Sequence, residues 1–460
     1  MQASLLEISR LIKLAIPVFL TQLGMMLLGA VDLVMIGHAG AEPMSAVALG
    51  NVWSTGTLIL GLGAMLGVDP LVTQAHGARD ARTLGLTLQR SFVVAALMSL
   101  PIAGLWLLTR DVLVAAGQEP ALAALAHDFV VAQIPGIPAF MAFMGLRQCL
   151  QGRGIVAPAL VTVLLANLLN ALLNWVLIFG HFGLPALGVT GAGLATGASR
   201  VALLVGLGAW VIAARLHEGG WVPWSRAALE PSGLGEILKI GLPVGLQLGL
   251  ELWAFQVSVL IVGQLGTHAL AAHAIAMNMA NLTFQIPLGI SMAAVTRIGN
   301  QIGADAFERA QRTATLALGL GVLAMMLSAA GYWTLRGWLP GLYSNQAAVV
   351  AAAASVLPIL AAFQVFDGLQ VVGCGVLRGM GRTRPAAVLT LIGYYGVGLP
   401  LAVLLGRTKG WGLEGVWWGL TGGIAGVAVL IVGWVVLRGP AHIRQEAGSG
   451  RRDGGLVTPA

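Results

Sequence analysis

Apolar residues gather along this chain in twelve stretches, each long enough to cross the ~30 Å of a bilayer's hydrocarbon as an α-helix, with short polar connections between them. In the first half they cover Leu11 to His38, Ala46 to Thr73, Leu86 to Thr109, Leu122 to Leu150, Pro158 to Gly180 and Val189 to Ala214. In the second half they cover Gly235 to Gln264, Leu270 to Gly299, Ala310 to Arg336, Ala347 to Leu377, Pro385 to Gly406 and Gly412 to Leu437. These runs are apolar on nearly every side, whereas a transmembrane barrel would alternate polar and apolar residues over segments of roughly ten. The pattern predicts an all-α integral membrane protein of twelve transmembrane helices.

The two halves repeat one another. Residues 17 to 78 fall on residues 243 to 304 without a gap: Pro17-Val18 on Pro243-Val244, Gly37 and Gly40 on Gly263 and Gly266, Gly63 on Gly289, and Gly77-Ala78 on Gly303-Ala304. Further on, Gly152-Arg153-Gly154 with Pro158 matches Gly379-Met380-Gly381 with Pro385. Two pseudo-symmetric six-helix lobes of the same inside-to-outside sense follow, with a substrate cavity expected between them. The sequence divides into an N-terminal lobe over residues 1–214, a cytoplasmic linker over 215–234 and a C-terminal lobe over 235–438. Residues 439–460, punctuated by glycine and serine, read as a disordered cytoplasmic tail.

Composition agrees with the solvent inferred from the pattern: 57% of residues are hydrophobic and only 9% charged, with a mean hydropathy of +0.87. The formal charge of +7 is a topology signal. With the N-terminus inside, the cytoplasmic connections receive nearly all Lys and Arg, among them Arg79, Arg82, Arg153, Arg226, Arg309 and Arg382, and the other side keeps only Arg110, Arg336, Arg407 and Lys409. Both termini are expected in the cytoplasm, which needs an even number of crossings. Basic patches with interleaved aromatics are absent, which argues against nucleic acid. The first apolar run continues through Val31 to Gly37 without a small-residue cleavage site, so the first helix is expected to stay in place. Cys149 and Cys374, the only cysteines, fall near cytoplasmic helix ends where a disulfide is not expected.

Three carboxylates, Asp32, Glu251 and Asp367, stand in otherwise apolar helical stretches, where burial of charge is expensive and usually tied to function. They point to a transporter that handles cations. The repeat does not copy them, since Asp32 falls on Ser258, Glu251 on Met25 and Asp367 on Phe140. Each half thus keeps its own ionisable chemistry, although any one such acid can also be a satisfied structural group.

At this point the chain resembles the multidrug and toxic compound extrusion (MATE) family, close to its NorM-type branch. The resemblance covers nearly the whole chain. Its residues are Ile16-Pro17, Val31-Asp32 and Ile36-Gly37, then Leu71-Val72-Thr73-Gln74, Gly77-Ala78, Asn170, Asn174 and the run Gly191 to Thr196. The second half adds Pro243, Glu251, and Phe366-Asp367-Gly368-Leu369-Gln370 leading to Leu377-Arg378-Gly379.

The resemblance implies efflux of amphipathic, often cationic drugs by alternating access, in antiport with sodium ions, the favoured coupling ion, or protons. No cofactor is expected, and a monomer in the lipid bilayer is the expected functional unit. By resemblance, Asp32, Asn170, Asn174 and Thr196 form the cation-coupling cluster of the N-terminal lobe, and Glu251 with Asp367 the acidic pair of the C-terminal lobe, the tentative sodium site. Sodium seeks several hard oxygens, whereas a proton needs one carboxylate whose affinity changes between dry and wet states. Asn170 and Asn174 lie one turn apart and can both face Asp32, or serve as packing glue. Some relatives carry an acid where Asn174 stands, so a two-acid proton site is not available here, which shifts weight to the C-terminal pair. Phe255, one turn after Glu251, offers a ring face to a cation or packs in the core. Pro17 is a candidate hinge, because proline removes a helical hydrogen bond. Met25, Met26, Met141, Met144, Met277, Met279 and Met292 are adaptable apolar contacts for drugs if they face the cavity. An enzyme is not expected, since metalloprotease, triad and phosphate-loop motifs are missing. A lipid-linked saccharide flippase of the wider superfamily is the alternative, but it should favour an Arg-lined cavity.

Overall fold

The computed structural model describes residues 2–443, and among them every regular element is helical. The helices are α1 (Gln2–Gly37), α2 (Ala41–Gly77), α3 (Ala81–Leu107), the bent α4 (Pro120–Ala132 and Gly136–Gly152), α5 (Ala157–Phe179) and α6 (Gly188–Ala213). They continue with α7 (Pro231–Gly263), α8 (Thr267–Gly303), α9 (Phe307–Thr334), α10 (Ala347–Gly379), α11 (Arg384–Thr408) and α12 (Gly412–Arg438). Eleven are singly long and apolar enough to cross a membrane, and α4, whose two parts meet at 53°, makes twelve as one span.

Local chemistry explains several boundaries. Asp80 caps α3 by accepting from the Thr83 backbone N–H at 3.0 Å and its hydroxyl at 2.6 Å. Those donors hold the Asp80 carboxyl below its usual range. Gly180 ends α5 in the left-handed region at φ 75°, where a side chain would be strained. Within α4 the bend falls at Gln133–Pro135, where proline withholds an N–H. The eleventh span is α-helical only in part, widening into π-turns at Ile392–Gly398 and Leu404–Thr408.

The helices also run past the apolar stretches that announce them. α1 starts at Gln2, α7 at Pro231 and α8 ends at Gly303, because polar ends continue the helix beyond the hydrocarbon. The last residues of the expected linker, 231–234, therefore belong to α7, and a 3₁₀ turn at Arg226–Leu229 precedes it. Of the expected tail, 440–443 are helical and the remainder, from 444, lies outside the described residues.

Packing divides the chain elsewhere than at the linker. One compact unit, here the N-terminal unit, is Leu20–Gly245; the other, the C-terminal unit, joins the residues up to Phe19 to those from Leu246 onward. The two breaks, after Phe19 and after Gly245, are related by the same offset as the sequence repeat, each just past the proline of α1 or α7. Small residues explain this. In the N-terminal unit α2 lies so close to the first half of α7 that a Cβ on Gly63 would overlap the Gly245 backbone. In the C-terminal unit the equivalent Gly289 of α8 faces the first half of α1, where a Cβ would stand 2.9 Å from Ala15 O and 3.0 Å from Phe19 Cβ.

Buried Glu7 fixes that first half of α1 to the C-terminal unit. It takes a forked pair of bonds from Arg297, Nε at 2.8 Å and Nη2 at 2.9 Å, and further bonds of 3.2 Å from Gln301 and Thr313. In the N-terminal unit Arg90 plays a similar part ahead of α7, donating to Ala227 O and pairing with Glu230 at 3.4 Å.

Candidate functional site

In the N-terminal unit, α1, α5 and α6 bring Asp32, Asn170, Asn174 and Thr196 together. Asp32 is 1% exposed and accepts three hydrogen bonds: from Asn170 Nδ2 at 3.0 Å, Asn174 Nδ2 at 2.7 Å and the Thr196 hydroxyl at 2.5 Å. The one-turn spacing of the two asparagines puts both amides on one face of α5, where Asn174 also donates to Asn170 Oδ1 at 3.2 Å. Asn174 Oδ1 is buried and has no partner among the described residues, an orphaned acceptor one amide away from a carboxylate. Such a set can hold a small cation on oxygen ligands or share a proton.

Arg200, one turn after Thr196, adds a fixed positive charge. Its guanidinium lies 5.6 Å from the Trp106 ring centroid and 5.3 Å from that of Phe140, within electrostatic range of Asp32. Asp69 is a further acid of this unit. Because α2 continues to Gly77, Asp69 is inside the bundle, 2% exposed, and accepts from Gln148 Nε2 at 3.3 Å.

In the C-terminal unit, Glu251 on α7 and Asp367 on α10 are both buried and within electrostatic range of one another. Their surroundings are sparser. Glu251 accepts long bonds from Gln370 Nε2 at 3.4 Å and the Tyr394 hydroxyl at 3.5 Å, and Tyr394 also donates to Gln370 Oε1 at 3.4 Å. No side-chain hydrogen bond reaches the Asp367 carboxylate among the described residues. Phe255 packs edge-on against Phe363 at 6.1 Å and Tyr394 at 5.8 Å. Where the N-terminal unit has Asp32, this unit has Ser258, whose hydroxyl lies 3.3 Å from His273 Nε2.

Gln370 and Tyr394 escaped assignment from the sequence. Gln370 ends the Asp367 motif one turn further along α10, and Tyr394 is a rare polar ring in an apolar helix, displaced from a regular helical phase by its π-turn. Pro17 lies inside α1 two residues before the break between units. Of the seven methionines named as candidate drug contacts, Met141, Met144, Met279 and Met292 are buried in packing. Cys149 and Cys374 are free thiols, both buried. Among the described residues no three His, Cys, Asp or Glu side chains converge on one metal-sized point.

The chain can be set beside known proteins. The MatE family model matches residues 17–176 and 243–404, the two repeats. A relative from Mesorhizobium japonicum called "Probable multidrug resistance protein NorM" is 35% identical over 443 residues, covering 93% of each chain. "Multidrug resistance protein PmpM" of Pseudomonas aeruginosa is 33% identical over 97% of this chain and 95% of its own. Among solved structures, the eukaryotic MATE transporter AtDTX14 superposes with a TM-score of 0.87 at 26% identity, covering 96% of this chain and 98% of that one. With a family match over both repeats, relatives of full length and the same twelve-helix fold, this chain is a multi-pass membrane transporter, not an enzyme, and belongs to the MatE family.

Proposed function

We propose that this protein is a multidrug efflux transporter of the cytoplasmic (inner) membrane, with both termini in the cytoplasm, that exchanges amphipathic, often cationic drugs for sodium ions or protons by alternating access. The observation that carries the reading is the buried Asp32 cluster, with its three donors and orphaned Asn174 oxygen in a bilayer-length bundle. The relatives' names support drug efflux. We assign sodium to Glu251 and Asp367, where both carboxylates, Gln370 Oε1 and the Tyr394 hydroxyl supply hard oxygens.

The outward-facing protein takes its cation at the acidic sites, which disfavours the drug-bound conformation, and drug leaves to the outside. The cation-loaded, drug-free protein then turns inward, releases the cation and takes another drug. Pro17 serves as the hinge of α1, since it sits where the helix leaves one unit for the other.

The test is efflux of a fluorescent organic cation from proteoliposomes under an imposed sodium or pH gradient, for the unsubstituted chain and for Asp32→Asn, Glu251→Gln and Asp367→Asn. Sodium-driven efflux lost in Glu251→Gln and Asp367→Asn is the expected result. A pH-driven response lost mainly in Asp32→Asn would move coupling to the N-terminal unit. Efflux indifferent to both gradients would refute cation coupling and favour the flippase.

A further inference from the structure

Away from the acidic sites, the N-terminal unit holds a cavity of about 360 Å³ at one end of α3, α4 and α6, roofed by the turns that follow α6. Leu88 and Phe92 of α3, Leu146 and Cys149 of α4, and Gly208 and Val211 of α6 form its walls. The polar groups at its mouth are cationic or neutral: Arg153 and His217, with Trp221 beside them. Arg153 is held in place by donating to Leu216 O and, at 3.0 Å, to Glu218 O. Those two bonds leave further guanidinium N–H groups free of these carbonyls. The Glu218 side chain itself is exposed. Trp221 and Trp224, 42% and 54% exposed, cross edge to face at 6.4 Å, the kind of aromatic belt that marks a headgroup level.

We propose that this cavity is a docking site for one acyl chain of an anionic phospholipid from the cytoplasmic leaflet, its phosphodiester resting on Arg153 and His217. The placement rests on the orientation proposed above, with the ends of α3, α4 and α6 concerned in the cytoplasm. The size, low in the ~300–1,000 Å³ range of ligand cavities, suits one chain rather than a whole lipid. An acyl chain already lies in hydrocarbon and gains little from apolar walls, so selectivity comes from the headgroup. The Arg153 guanidinium at a mouth between helices, with His217 beside it, selects an anionic headgroup over a zwitterionic one and repels an amphipathic cation.

Gly208 provides a clean test, because a Cβ there meets nothing within 4 Å and a side chain has room to grow into open space. Native mass spectrometry of the full chain in detergent, with equal phosphatidylglycerol and phosphatidylcholine, should show one phosphatidylglycerol retained beyond those held by Gly208→Phe. Arg153→Gln should lower that retention to the phosphatidylcholine level. Equal retention of the two lipids by the unsubstituted chain, or undiminished phosphatidylglycerol in Gly208→Phe, would overturn the proposal, as would displacement of the lipid by a lipophilic cation probe. A second readout needs no change in the cavity. In a Cys374→Ser chain, alkylation of the remaining Cys149 by N-ethylmaleimide should be slower in phosphatidylglycerol than in phosphatidylcholine nanodiscs, and equal rates would contradict it.

Discussion

Asn167 and Asn174 lie on the same face of α5 and both donate to the second half of α1, but to different ends. Asn167 reaches a backbone carbonyl, Gly24 O, at 2.9 Å, while Asn174 reaches the Asp32 carboxylate at 2.7 Å. If the first is packing glue and the second part of a cation site, they separate under substitution. Hydrogen bonds to charged groups contribute about 1.5–3 kcal/mol, which is roughly tenfold or more in affinity. Asn174→Leu should therefore shift the half-maximal coupling-cation concentration for efflux by about tenfold or more, with Asn167→Leu leaving it unchanged. Equal shifts in the two variants would reduce Asn174 to glue. Asp32 was legible as an acid in an apolar helix and the two amides by their one-turn spacing, whereas their grouping with Thr196 came from the resemblance. Tyr394 was not legible, because the π-turn at Ile392–Gly398 breaks the 3.6-residue phase by which a facing side chain is read, and Gln370 on α10 was not, because it carries no charge to single it out.

At the level of elements, glycine decides which helix lies beside which. Gly63 and Gly56 stand on the same helix two turns apart, but a Cβ on Gly63 would overlap the Gly245 backbone and one on Gly56 would meet nothing within 4 Å. Gly63→Leu should lower stability by ~1–3 kcal/mol or more through overpacking against α7. Gly56→Leu should hold or gain, since leucine is the better helix former by up to ~1 kcal/mol. Thermal unfolding in detergent, followed by tryptophan fluorescence, distinguishes them, and matching midpoints would mean that the α2–α7 approach contributes nothing. Existence and order of the twelve helices could be read from apolar runs alone. The boundary between units could not, because polar composition marks the linker at 215–234, whereas packing follows the small-residue contacts that hold the first halves of α1 and α7. The Glu7–Arg297 pair was hidden for a related reason: its partners are 290 residues apart and each reads singly as a helix-end charge.

For the molecule as a whole, the repeat seen in the sequence recurs in the fold, down to the offset between the two unit boundaries, while the acids break it. A symmetric scaffold with asymmetric charges is what an exchanger needs if cation and drug are to bias its conformations in opposite directions. What the sequence could not supply is the coupling itself, because it is a free-energy difference between conformations rather than a property of any residue. Linkage makes the proposed coupling reciprocal: if cation weakens drug binding by some factor, drug must weaken cation binding by the same factor. The most direct measurement is the affinity of a fluorescent cationic drug for the purified protein with and without saturating sodium, paired with sodium affinity with and without drug. The account predicts equal factors greater than one, both collapsing to one in Glu251→Gln. Drug affinity that ignores both sodium and pH in the unsubstituted protein would contradict it.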